Sequence, residues 1–110
     1  MATLLQLLTA QSVRRLESER QGLLSALQRE LRSLLATGET VWVFGSLIAP
    51  GRFSDNSDVD LALERHPTAF SDYWLQGELE LRLGRRVDVL VLPETRLREK
   101  IEREGLRWIL

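Results

Sequence analysis

The sequence predicts an α/β (α+β) domain, a small sheet with flanking helices, and three observations carry that prediction. Apolar spacing is helical through the first third of the chain, alternates with period two in later stretches, and is helical again between and after them. A glycine or proline stands at each change of period: Gly38, Gly45, Pro67, Gly84, Pro93 and Gly105. The resulting order, α-β-β-α-β-α, layers helices on a sheet.

The elements follow in order. From Val13 onward, Leu16, Leu23, Leu24, Leu27, Leu31, Leu34 and Leu35 mark one buried stripe of a long helix. Ser12 is a candidate N-cap and Gly38 a candidate residue just past the end. Leu4 to Leu8 either begin that helix or form a separate turn. Val41 to Phe44, β-branched or aromatic throughout, read as a buried strand closed by Gly45. Pro50-Gly51 and Ser54 to Ser57 read as turn and loop. Asp58 to Glu64 alternates cleanly, with Val59, Leu61 and Leu63 on one face. Beyond Pro67, Ala69 to Leu83 is a second helix, stopped by Gly84 and carrying Phe70, Trp74, Leu75 and Leu79. Arg86 to Leu92 is a third strand, with Val87, Val89 and Val91 facing one way and Asp88, Leu90 and Leu92 the other. Pro93 opens a final helix bearing Leu97 and Ile101. Gly105 ends it, leaving an extended tail with Trp108, Ile109 and Leu110. Trp42, Phe44 and Trp74 are expected in the core, Trp108 in the core or at a partner contact.

The 110 residues are one domain's worth of chain: a helical segment, 1–37, ahead of a core, 38–110. A content of 44% hydrophobic and 28% charged residues argues against disorder. Acids number 16 against 15 bases, a net charge of −1 that gives no electrostatic footprint for nucleic acid or an acidic membrane. There is no cysteine, which excludes disulfides and thiolate metal sites and fits a reducing compartment. No apolar run approaches the roughly 20 residues that span a bilayer. The opening MATLLQLLTAQ lacks the basic start and the length of a signal segment, so a cytoplasmic protein is expected.

Three carboxylates stand out. Asp58 and Asp60, two apart, project from the face of their strand opposite the apolar one. Asp88, between two valines, does the same on another strand, although aspartate is depleted in strands. Taken singly, each reads as an ordinary loop-end or exposed strand residue. On neighbouring strands they would lie together, where like charges raise one another's pKa or demand a cation. Oxygen-only ligands favour Mg²⁺ or Mn²⁺ over zinc. Gly45-Ser46, at the end of the first strand, would let backbone approach an anionic ligand closely. Taken alone, it is an ordinary strand-ending turn.

Together, Phe44-Gly45-Ser46, Gly51-Arg52, Ser57-Asp58-Val59-Asp60-Leu61-Ala62 and Gly84-Arg85-Arg86-Val87-Asp88-Val89 resemble the signature of the polymerase-beta-like nucleotidyltransferases, most closely the minimal nucleotidyltransferases of bacteria and archaea. The resemblance spans about residues 38–106, from the first strand through the Ile101 to Gly105 segment. Two departures stand out: 11 residues separate Ser46 from Asp58, one more than in many members, and Pro50 falls among them. A slightly reshaped loop is expected.

The resemblance implies a small mixed sheet, including its strand order, and a two-metal transfer of AMP from ATP. Gly45 and Ser46 would hold the β- and γ-phosphates. Asp58 and Asp60 would bind both Mg²⁺ ions, and Asp88 the one that activates the acceptor hydroxyl. Two metals about 3.5–4 Å apart stabilise the attacking and leaving oxygens of an in-line displacement. Minimal family members commonly pair, as antitoxins, with an all-helical HEPN toxin, which the transferase silences by adding AMP to a tyrosine. After the sheet is built, little chain remains for an acceptor pocket, so the acceptor is expected on another protein or a second copy, in a homo-oligomer or a heteromeric complex. Transfer to a small molecule and non-catalytic occlusion of a toxin are the alternatives. Arg52, the Arg82, Arg85 and Arg86 cluster, His66 and the Glu94 to Glu104 charge run read as solvated surface.

Overall fold

In the computed structural model, which describes residues 1–110, the first helix starts well before the leucine stripe requires it. Helix α1 (Leu4–Leu34) is capped by Thr3, whose hydroxyl accepts from the Gln6 N–H (3.1 Å) while Gln6 Oε1 accepts from the Thr3 N–H (2.9 Å). This reciprocal box satisfies two of the first turn's orphan donors. Leu4 to Leu8 therefore belong to the long helix, and Ser12 lies inside it rather than capping it. The stripe buries Leu27 and Leu31 completely and Leu16, Leu23, Leu24, Leu34 and Leu35 in part. Upstream of it the helix juts out, with Leu4 and Leu5 each 73% exposed, and the molecule is 57 Å long but only 28 and 21 Å across.

Four strands form one mixed sheet: β1 (Thr40–Phe44), β2 (Val59–Leu63), β3 (Val87–Val91) and β4 (Leu106–Ile109). Their order is β3-β2-β1-β4, with β2 and β3 parallel and the other pairs antiparallel. The tail beyond Gly105 is thus a strand against β1. Gly105 makes the corner possible, because a Cβ there would meet the Ile101 carbonyl at 2.5 Å. The final helix also differs from expectation. Pro93 sits in a separate 3₁₀ turn, Leu92–Glu94, and α3 runs only from Arg98 to Glu104. Helix α2 (Asp72–Leu83) begins after the Ser71 cap, whose hydroxyl accepts from the Trp74 N–H, and closes at Gly84 in the left-handed region.

Alternation sorts the sheet into two faces. Val41, Val43, Val59, Leu61, Leu63 and Val87 turn toward α1 and α2, joining Leu27, Leu31, Leu75 and Leu79 in the main core. Each such side chain contributes about 1.5–3 kcal/mol by leaving water. The other face carries Trp42, Phe44, Asp60, Ala62, Asp88 and Leu90, and only α3 crosses it, burying Ile101 against Ala62 and Leu92. Trp42 and Phe44 are half-buried there. Trp74 is 45% exposed and packs against Phe70 with the rings tilted 46° and their centroids 4.6 Å apart, so it is not a core residue. No helix is long and apolar enough to cross a membrane.

Candidate active site

Strand register assembles the carboxylates. Asp60 is the direct partner of Asp88 across the parallel β2–β3 pair, and of Phe44 across β1–β2. Neighbouring backbones lie about 4.8 Å apart. Asp58, one residue before β2, has the parity of Asp60 and the same facing. The three predicted aspartates therefore share the face that α1 and α2 leave uncovered. Asp60 and Asp58 are half-buried, and Asp88 is exposed. Burial first, then Asp88, then Asp58, pushes the Asp60 carboxyl up to about 6.

Gly45 completes the row. It ends β1 with φ +78°, and a Cβ built on it would collide with Asp60 Oδ2. Only glycine permits both that backbone and that carboxylate. The chain then turns through the 3₁₀ segment Gly45–Ile48, whose first N–H groups have no side-chain cap. Gly45, Ile48 and Asp60 open onto a groove of about 540 Å³, roofed by Leu97, Lys100, Ile101 and Glu104 of the α3 region. Ser46, Asp58 and Asp88 do not line it. Arg52 does, and neither Arg52 nor Lys100 has an ion-pair partner. Arg52 is exposed, as expected of a loop arginine, while Lys100, the sole lysine, reads in the sequence only as part of a charged face. Its position one residue before buried Ile101 was the available signal. A separate cavity of about 70 Å³, between the end of α1 and Phe70, has its charged residues Glu39 and Arg65 paired with each other.

Arginines hold the connection that delivers these groups. Arg20, buried on α1, bonds Glu17 at 2.6 and 2.8 Å and donates to the Leu47 carbonyl of the 3₁₀ turn (3.1 Å). Arg20 holds the Glu17 carboxyl down to about 2. Arg85 donates to the carbonyls of Ser54, Asp55 and Ser57, the last at 2.8 Å, and lies 4.8 Å over the Phe53 ring. Arg15 grips Asp55 from α1 at 2.9 and 3.2 Å. The long Ser46–Asp58 connection is therefore tied at both ends, and Arg85 is a clamp rather than solvated surface. Arg82 likewise pairs with Glu30 and Glu78 across α1 and α2. His66 is exposed as expected, hydrogen-bonded to Glu94.

Could this set hold a divalent cation? The donors are carboxylate oxygens on adjacent strands, the type hard cations prefer. Asp60 carries the burden of two like neighbours, which a cation would relieve, and Gly45 keeps side-chain bulk away from it. No three acidic or histidine side chains already converge as a closed cage. The three carboxylates share one face without forming such a cage, and their donor chemistry is the kind that suits Mg²⁺ or Mn²⁺.

No protein-family model matches the chain, and no curated protein does. Among solved structures, it is similar to a protein described provisionally as a minimal nucleotidyltransferase. The two are 31% identical, the match covers 86% of this chain and 94% of that one, and the TM-score is 0.53.

Proposed function

Because the chain belongs to the minimal nucleotidyltransferases, we propose that it is a metal-dependent enzyme that moves AMP from ATP to a hydroxyl, most specifically a tyrosine on an all-helical HEPN toxin that it silences as the antitoxin. The observation that carries this reading is the Asp60–Asp88 register pair, with Asp58 beside it and Gly45 packed against Asp60. An acyl- or glycosyl-transfer site would call for a nucleophile and base or a spaced acid pair, whereas this face offers clustered carboxylates beside an open backbone turn.

The chain's own residues divide the work. Gly45 and Ser46 would receive the β- and γ-phosphates on the uncapped turn, with Arg52 and Lys100 adding positive charge across the groove. Asp58, Asp60 and Asp88 would hold two Mg²⁺ ions, which screen phosphate charge and make the acceptor oxygen a better nucleophile. The acceptor oxygen bonds to the α-phosphorus as the bond to pyrophosphate breaks. Asp88, the most exposed of the three, would accept the hydroxyl proton. Arg20 and Arg85 keep the turn and Asp58 in register. Because α3 covers only part of this face, a bulky acceptor such as a protein side chain can approach it.

Mass spectrometry of the protein incubated with ATP and Mg²⁺, alone and with the product of a neighbouring gene, tests this reading. A gain of one or more AMP units on the partner, lost in Asp58→Asn/Asp60→Asn, is the expected result. A stable complex without any mass gain would replace catalysis with occlusion.

A further inference from the structure

The two edges of the sheet are finished differently. On the β3 edge, the outward N–H groups of Val87 and Val89 donate to Glu80 Oε2 (3.2 Å) and Gln76 Oε1 (3.0 Å) of α2. Exposed Asp88 adds charge to the same strand. Side-chain cover and charge are the usual means of blocking strand addition. The β4 edge has no such side-chain cover, and its one charged residue is Arg107. Leu110 turns its N–H to the Glu39 carbonyl (2.8 Å) and its carbonyl to the Gly38 N–H (3.0 Å), while Trp108 and Leu106 pair with Val41 and Val43. By alternation, Arg107 and Ile109 direct their N–H and C=O groups away from β1, and β4 is the last strand of the sheet. Leu106 is 40% exposed and Ile109 59%.

We propose that β4 is a homodimer interface: two copies pair their β4 strands antiparallel about a two-fold axis and join their four-stranded sheets into one. The sequence of the edge favours a second copy as occupant, because it complements itself. With Arg107 opposite the partner's Ile109, each copy donates and accepts at both residues, and no outward group is left over. The same register sets Trp108 against the partner's Trp108 and Leu106 against the partner's Leu110, an apolar ladder on the face that packs on α1. It also keeps the two Arg107 guanidiniums from facing each other, where like charges destabilise a strand pair. Self-complementarity of this kind is what an isologous interface needs. The pairing lies at the opposite end of the sheet from Asp60 and Asp88, so it is independent of the reaction proposed above.

Sedimentation of the chain over a wide concentration range tests this. A species of twice the protomer mass is expected. Ile109→Pro removes an outward N–H while sparing every bond to β1, and Ile109→Lys places charge on the edge. Each should weaken association by at least about tenfold while leaving the far-UV circular dichroism unchanged. The chain has no cysteine, so Arg107→Cys/Ile109→Cys reads the register: under mild oxidation it should yield a covalent dimer. Neither single variant should, because like positions then lie beyond disulfide reach. A monomer at every concentration overturns the proposal. So does a dimer indifferent to Ile109→Pro and Ile109→Lys, or protection of the Arg107 and Ile109 amides that arises only with a different protein.

Discussion

The sheet face packed on α1 and α2 carries Val41, Val43, Val59, Leu61 and Leu63, all buried, whereas the opposite face of the same strands carries Trp42, Phe44, Asp60 and Ala62 under a single seven-residue helix. One strand thus serves two purposes through its pleat: alternate residues of β2 supply the core and the carboxylate face of the proposed site. A slip of one residue in register would exchange them, exposing leucines and burying carboxylates. The packed face therefore fixes the aspartates more firmly than a loop would, and the sparse face keeps them within reach of substrate.

That contrast can be broken or sharpened by neighbouring substitutions. Asp60→Asn should lower the proposed AMP transfer by about 10³-fold, the several kcal/mol expected if Asp60 is a ligand to a transition-state cation, with the fold intact. Radiolabel transfer and circular dichroism together check it; an unfolded variant would mean that the open face is structural. Leu61→Ala, next in sequence but on the packed face, should cost about 2–5 kcal/mol in urea unfolding, since Leu61 is fully buried. A cost under about 1 kcal/mol would erase the distinction between the faces. Arg85→Ala should destabilise by about 1–2 kcal/mol, because three loop carbonyls lose their donor. It should also weaken transfer by displacing Asp58, whereas Arg86→Ala should do neither.

Proton linkage separates the faces more finely. The Asp60 carboxyl is raised to about 6 from 3.8, so between those values the folded state binds more protons than the unfolded one. Stability must then fall as pH rises through that window. In EDTA, the wild-type melting temperature should decline from pH 4 to above pH 6 relative to Asp60→Asn, and Mg²⁺ at neutral pH should restore part of the loss. The smallest effect belongs to His66, whose pKa is raised first by its hydrogen bond to Glu94. That contribution is present below the ordinary histidine value and is lost as pH rises through the folded one. His66→Ala should leave the melting temperature almost unchanged at every pH, because the ring is exposed and water screens its pairing with Glu94.

The alternation of β2 and β3 was legible because both strands have one apolar face, and the facing of Asp58, Asp60 and Asp88 followed from parity alone. Gly45-Ser46 was legible through spacing. What escaped depended on contacts distant in sequence. Arg20 looks like any helical arginine until Leu47 is folded against it, and Arg85 becomes a clamp only when the Ser54–Ser57 loop wraps it. β4 was hidden because Leu106 to Ile109 is short, half-exposed and needs β1 to become a strand. The start of α1 was hidden because Ser12 offered a plausible cap nearer the stripe, while the Thr3–Gln6 box lay among leucines with no core to bury them.

The contact between Gly45 and Asp60 makes two positions behave as one locus. No side chain can be added at 45 without moving the carboxylate at 60, so Gly45→Ala injures the protein through the residue it displaces as well as through its own backbone. Its cost should shrink on an Asp60→Gly background, where the obstruction is gone, in the non-additive way of residues in contact. A survey of tolerated substitutions would then find 45 and 60 constrained jointly, although 14 residues lie between them along the chain.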